Sequence, residues 1–279
     1  MNSFLSLLDK YKVIWLDSYS VIKNHRGLIP NVQYTIDAIR ERGIELRVLT
    51  NNAARSPKRQ SDRFKQQGLQ GIEPEQIVTS GMMAQQFLKN KVRKGKVAYL
   101  GTTQAAEYII EANLEAIPVG SVQSSEISEI TAMVFLDDEG YDWNYDINAT
   151  VNLLRKANIP AVVANSDKIY PVAQNDVSIA TGGIAKLVGN ILGRKFIRFG
   201  KPDTQMFTYA FEDINRTGNF TRRDILMVGD TLHTDILGGN KFGVDTALVM
   251  TGNTRATRAE QKIRSSGIIP DYICQSIAE

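Results

Sequence analysis

Two short apolar runs, more than 200 residues apart, each end in an aspartate. Val13-Ile14-Trp15-Leu16 runs into Asp17-Ser18-Tyr19-Ser20. Ile225-Leu226-Met227-Val228 runs into Gly229-Asp230-Thr231, and Asp235 lies five residues past Asp230. Unbroken apolar runs without alternation read as strands buried on both faces, the condition of a parallel sheet. In an open parallel sheet, ligands sit at the carboxyl ends of the strands. Two such strands would therefore deliver one carboxylate each to the same edge.

The rest of the chain alternates in the same style. Pro30-Asn31 precedes Val32, Ile36 and Ile39 at helical spacing, and Gly43 stops the pattern. Leu46-Arg47-Val48-Leu49 then ends in Thr50-Asn51-Asn52, and Ser56-Pro57 opens a helix that closes near Gly68. After Phe196-Ile197-Arg198-Phe199 comes Gly200-Lys201-Pro202, followed by a helix through Met206, Phe207, Ala210 and Phe211. Beyond Asp230 a helix is punctuated by Gly238-Gly239 and Gly243. Thr246 to Met250 reads as a strand, and Pro270-Asp271-Tyr272-Ile273 as a last short one. This βαβ succession predicts a doubly wound, Rossmann-like parallel sheet with right-handed crossovers. The middle has apolar runs of its own, at Val97–Leu100, Ala132–Leu136 and Ala161–Ala164. A stretch of that length can fold as a small domain. The expected organisation is a core of residues 1–91 and 195–279 interrupted by an α/β insertion at 92–194.

Composition narrows the class. In 279 residues, 43% are hydrophobic and 23% charged, as in a soluble globular protein, and a net charge of +3 gives no case for nucleic acid. Arg55, Lys58, Arg59, Arg63 and Lys65, and the stretch from Lys89 to Lys96, read as solvated helix and turn surface. A mild positive field near an anionic substrate is the alternative. A single cysteine, Cys274, allows no internal disulfide and fits a cytoplasmic protein. No segment approaches the roughly 20 apolar residues of a membrane span.

Asp17, Thr50, Lys201, Asp230 and Asp235 together supply what phosphoryl transfer needs. A phosphate monoester is anionic, so catalysis is mostly positioning and charge neutralisation. Asp17 suits a carboxylate nucleophile that passes through an aspartyl-phosphate. Asp17 and Asp230 form a hard-oxygen pair for Mg²⁺, and Asp235 could hold a metal-bound water. The Thr50 hydroxyl and the Asn51 and Asn52 amides can donate to phosphate oxygens, and the Lys201 ammonium can neutralise developing charge.

Trp15-Leu16-Asp17, Leu49-Thr50-Asn51-Asn52, Gly200-Lys201-Pro202-Asp203 and Val228-Gly229-Asp230-Thr231-Leu232-His233-Thr234-Asp235-Ile236 resemble the haloacid dehalogenase superfamily. Met206-Phe207 after the Gly-Lys-Pro and the continuation to Leu237-Gly238 resemble its subfamily IIA, the NagD and p-nitrophenylphosphatase group. The resemblance implies an α/β cap over the core and a Mg²⁺-dependent phosphatase of a small phosphorylated metabolite, such as a sugar phosphate. It implies a metal set of Asp17, the Tyr19 carbonyl and Asp230. It also makes Asn165-Ser166-Asp167-Lys168-Ile169-Tyr170-Pro171 a cap loop facing the substrate's leaving group, with Asp167 and Tyr170 as substrate-binding candidates. A homodimer formed through the cap is a further expectation.

One position departs from that pattern. The family's first motif is Asp-x-Asp-Gly, and here it reads Asp17-Ser18-Tyr19-Ser20. The second aspartate is the general acid and base, and a phenol that titrates near pH 10 does not replace it in the same way. Losing such a group costs roughly 10²- to 10⁴-fold. Tyr19 thus points to a slowed phosphatase, with a non-catalytic binder of a phosphorylated ligand as the alternative.

Overall fold

A computed structural model describes residues 2–173, 176–254 and 256–279. The first part of the core holds β1 (Val13–Leu16), a small hairpin of β2 (Lys23–Asn24) and β3 (Gly27–Leu28), then β4 (Glu45–Thr50) and β5 (Ile77–Thr79). The inserted part holds β6 (Lys96–Leu100), β7 (Glu115–Pro118), β8 (Ile130–Phe135) and β9 (Ala161–Val163). The hairpin of β10 (Ile169–Pro171) and β11 (Val177–Ile179) and the short β12 (Ile197–Arg198) complete it. The chain returns to the core with β13 (Ile225–Gly229), β14 (Asp245–Val249) and β15 (Tyr272–Cys274).

The core sheet has six parallel strands in the order β15-β14-β13-β1-β4-β5. From β1 the chain winds outward through β4 and β5, then crosses back to build β13, β14 and β15 on the other side. The winding reverses between β1 and β13, so the crevice for a ligand opens there. Leu16 pairs with Val228, and the Asp17 amide donates to the Val228 carbonyl at 2.8 Å, which places Asp17 and Asp230 side by side at that crevice. β1 is buried at every position, as its unbroken apolar run requires. The helix Val32–Glu41 buries Val32, Ile36 and Ile39 against one face of the sheet.

The inserted domain is a separate parallel sheet, ordered β12-β9-β8-β6-β7. Its inner apolar residues, Val97, Val134 and Val162, join the cluster that contains Trp15, Leu49, Phe207 and Met227 of the core. Ile197–Arg198, expected on the core side of residue 194, pairs instead with β9 of the inserted sheet. Both of its residues are exposed, so no burial pattern marked its side in the sequence. Among the described residues, no helix is long and apolar enough to cross a membrane.

Candidate active site

Four side chains converge where β1, β4 and β13 end. Lys201, on the loop before the helix Thr204–Ile214, is 2% exposed. Its Nζ lies 2.6 Å from Asp17 Oδ1 and 2.7 Å from Asp235 Oδ1, and it donates to the Leu49 carbonyl at 2.7 Å. Oxygens of Asp17, Asp230 and Asp235 all lie within 4.8 Å of one another. Asp230 and Asp235 are almost fully buried, at 2% and 1% exposure. The Asn253 amide donates to Asp230 Oδ2 at 2.6 Å, and the Thr231 amide to Asp235 Oδ2 at 3.1 Å.

Three carboxylates against one ammonium leave an excess of negative charge when all are ionised. Burial pushes Asp17 up to about 7, with Lys201 opposing and Asp235 adding to the rise. Burial, then Asp235 and Asp17, hold Asp230 well above the usual carboxylate range. Burial alone would lower the Lys201 ammonium, but Asp17 and Asp235 outweigh it and hold it above its ordinary value. A close-set cluster of hard oxygens carrying surplus negative charge fits a hard divalent cation.

Tight backbone approach builds this cluster. A Cβ on Gly252 would lie 2.1 Å from Asp230 Oδ2 and 2.3 Å from Ser20 Cβ, so only glycine fits where the loop after β14 crosses the site. Ser20 itself has a φ of 68°, a left-handed conformation that glycine would adopt without strain.

The loop after β4 carries Thr50, Asn51 and Asn52. Thr50 is buried at the end of β4, and its Oγ1 accepts from the Asn52 amide at 3.2 Å. Asn52 Oδ1 accepts from the Ala54 amide at 3.1 Å. The Asn51 side chain is a strut. Its Oδ1 accepts from the Lys201 amide at 2.6 Å, and its Nδ2 donates to the Lys201 carbonyl at 3.0 Å and to Asp167 Oδ1 at 2.9 Å. Ser80 Oγ donates to the Asn51 carbonyl at 2.7 Å.

The loop 165–171 of the inserted domain closes over this edge. Asp167 reaches Asn51, and burial raises its carboxyl although the Asn51 hydrogen bond opposes. Ser166 Oγ donates to the Lys201 carbonyl at 3.1 Å. Tyr170 packs edge-on against the Tyr19 ring, with centroids 6.3 Å apart, and the Tyr19 hydroxyl donates to the Pro171 carbonyl at 2.5 Å. Burial and the nearby Asp230 raise the Tyr19 phenol further. The backbone bridge between Tyr19 and Lys23 uses the Ser20 amide and the Ser18 carbonyl, so the Tyr19 carbonyl takes no part in it.

All ten residues singled out in the sequence therefore lie on this edge or on the loop that covers it. Sequence reasoning missed Ser80, Ser166 and Asn253, which act through a backbone group or a single hydroxyl.

Residues 14–115 match the haloacid dehalogenase-like hydrolase family, and residues 198–279 match HAD-like hydrolases. A solved structure described as a possible sugar phosphatase of the HAD superfamily, from Cytophaga hutchinsonii, is 49% identical. It covers 100% of this chain and 98% of its own, with a TM-score of 0.97. The chain belongs to the haloacid dehalogenase superfamily. NagD from E. coli K-12 shares the fold at a TM-score of 0.75 and 21% identity, covering 97% of this chain and 98% of that one. The dihydroxyacetone phosphatase of Corynebacterium glutamicum is 26% identical over 94% of this chain and 88% of its own length.

Proposed function

We propose that this protein is a Mg²⁺-dependent phosphatase of a small phosphorylated metabolite, working through an aspartyl-phosphate on Asp17. The observation that carries this reading is the Asp17–Lys201–Asp235 ion network beside Asp230 at the switch point of the sheet. The names of two relatives, a possible sugar phosphatase and a dihydroxyacetone phosphatase, support the substrate class.

Asp17, Asp230 and the Tyr19 carbonyl would hold Mg²⁺, with Asp235 orienting a water on it. When bound, the cation supplies the charge that lets a phosphoryl oxygen sit among carboxylates. Lys201 favours the ionised form of Asp17, aims it, and neutralises charge as the phosphorus is attacked. The Asp17 carboxylate attacks phosphorus and the ester oxygen leaves. Water then releases phosphate and restores Asp17. Thr50, with the Asn51–Asn52 stretch, binds the phosphoryl oxygens, while the Asn51 side chain also fixes the Lys201 backbone. Asp167 and Tyr170 meet the leaving group from the cap loop.

Tyr19 slows both steps because its hydroxyl is already committed to Pro171. That commitment also favours a second reading, a phospho-ligand binder that does not turn over. A homodimer through the cap fits the exposed Ile169, Val177, Ile179, Leu187 and Ile191, all of which belong to that domain.

A panel of phosphometabolites assayed with and without Mg²⁺ tests the proposal. Mg²⁺-dependent release of phosphate from at least one small ester is expected. Tight binding of an ester with no release under any condition would establish the binder instead.

A further inference from the structure

On the loop and helix that follow Thr50, two arginines lie without a bonded counter-charge among the described residues. Arg55 sits on the loop that also carries Thr50, five residues further on, and Arg63 follows it on the helix Pro57–Gln66. Lys23 belongs to the hairpin that is bridged by its backbone to Tyr19. Arg55 and Arg63 line a cavity of about 260 Å³ with Arg59, Asp62, Gln66 and Gln104, the last contributed by the inserted domain. Among the described residues, neither Arg55, Arg63 nor Lys23 has a carboxylate within ion-pair distance, whereas Arg59 is paired with Glu107.

Lys23 and Arg55 each respond to cationic neighbours. Burial, then Arg63 and Arg55, bring the Lys23 ammonium down to about 8. Burial and Arg63 lower the Arg55 guanidinium, with Asp137 and Glu139 of the cap opposing from beyond contact. Like charges held together are costly unless something neutralises them, and here Arg55 is partly buried while Arg63 is exposed. Arg55 and Arg63 offer planar forks suited to an oxyanion.

Resting on the phosphatase reading, we infer that Arg55 and Arg63 form a subsite for a second anionic group on the substrate. The preferred substrate then carries a phosphate or carboxylate at the end remote from the scissile phosphate. Gln104 reaches the same cavity from the cap, so a ligand spanning both sites would tie the cap to the core. Within the basic stretch, Arg59 and Lys65 are paired with Glu107 and Glu73, which leaves Arg55 and Arg63 to the proposed subsite.

The test uses the full chain carrying Asp17→Asn, so that bound esters are not consumed. Fructose 1,6-bisphosphate and fructose 6-phosphate are titrated calorimetrically with Mg²⁺ into this chain and into derivatives carrying Arg55→Met or Arg63→Met. Methionine keeps an unbranched stem without the charge, and thermal melts verify folding. The bisphosphate should bind roughly tenfold or more tightly than the monophosphate, as a charged hydrogen bond allows. Each arginine variant should shrink that ratio, and Arg63→Lys should retain part of it. Equal binding of the two esters, or a preference that survives both arginine variants, overturns the subsite. Mg²⁺-dependent turnover by the unmodified chain is scored separately. Turnover without a bisphosphate preference defeats the subsite alone, and a preference without turnover defeats the phosphatase alone.

Discussion

The Tyr19 hydroxyl donates to the Pro171 carbonyl at 2.5 Å across 152 residues of chain. The Tyr19 side chain thereby fastens the cap loop to the core. Tyr170, whose ring meets Tyr19 edge-on, extends that clasp, and Asn51 to Asp167 adds a second fastening.

Tyr19→Asp should therefore raise turnover of alkyl phosphates by roughly tenfold or more, because a carboxyl restores proton transfer to the leaving oxygen. The gain should be larger for poor leaving groups than for p-nitrophenol. Adding Ser20→Gly should enlarge it, since residue 20 has a φ of 68°. Tyr19→Phe removes only the clasp and should raise KM more than it lowers kcat. Steady-state kinetics on a matched alkyl and aryl pair measure all three.

Lys201→Met should leave Asp17 and Asp235 buried without their cation. Breaking a buried pair from one side costs about 3–5 kcal/mol. Denaturant unfolding without metal should report a loss of that order. Mg²⁺ should recover part of the stability, and phosphatase activity should be lost.

Metal-free stability should depend on pH in an uncommon direction. Asp17 has its pKa pushed up to about 7 in the folded chain, against an ordinary 3.8. Asp230 and Asp167 are displaced the same way. Between those values the folded chain binds more protons than the unfolded chain. Stability therefore falls as pH rises from about 4 to about 7. Melting temperatures without metal should be lower at about pH 7.5 than at about pH 5, and saturating Mg²⁺ should narrow or reverse the difference.

Gly252→Ala should damage metal binding more than folding. Its Cβ would lie 2.1 Å from Asp230 Oδ2, so the carboxylate or the loop must move. Forcing atoms into a packed site costs roughly 1–3 kcal/mol. Calorimetric Mg²⁺ affinity should fall by about tenfold or more, while the circular dichroism spectrum stays that of the parent.

The core sheet was legible because its central strands are largely apolar runs that stop at Asp17, Thr50 and Asp230. A strand buried on both faces has no other pattern available. The insertion was legible for the same reason at Val97–Leu100 and Ala132–Leu136. Ile197–Arg198 was not, because two exposed residues carry no burial signal and only their pairing with β9 assigns them to the cap. The motif residues could be named from the sequence, but their wiring could not. The strut role of Asn51, the carbonyl that Ser166 reaches on Lys201 and the clasp from Tyr19 all depend on the cap loop meeting the core, a contact more than 100 residues long in sequence for Asn51 and Tyr19.

Rapid-quench kinetics of p-nitrophenyl phosphate hydrolysis with Mg²⁺, with intact-mass analysis of the quenched chain, test the central claim most directly. p-Nitrophenolate leaves without a proton, so Asp17 should be phosphorylated readily, while Tyr19 leaves the water step slow. The account predicts a burst of about one p-nitrophenolate per chain, a transient chain heavier by one phosphoryl group, and neither signal in Asp17→Asn. Wild-type turnover in Asp17→Asn, or turnover by the parent chain that never labels Asp17, would contradict it.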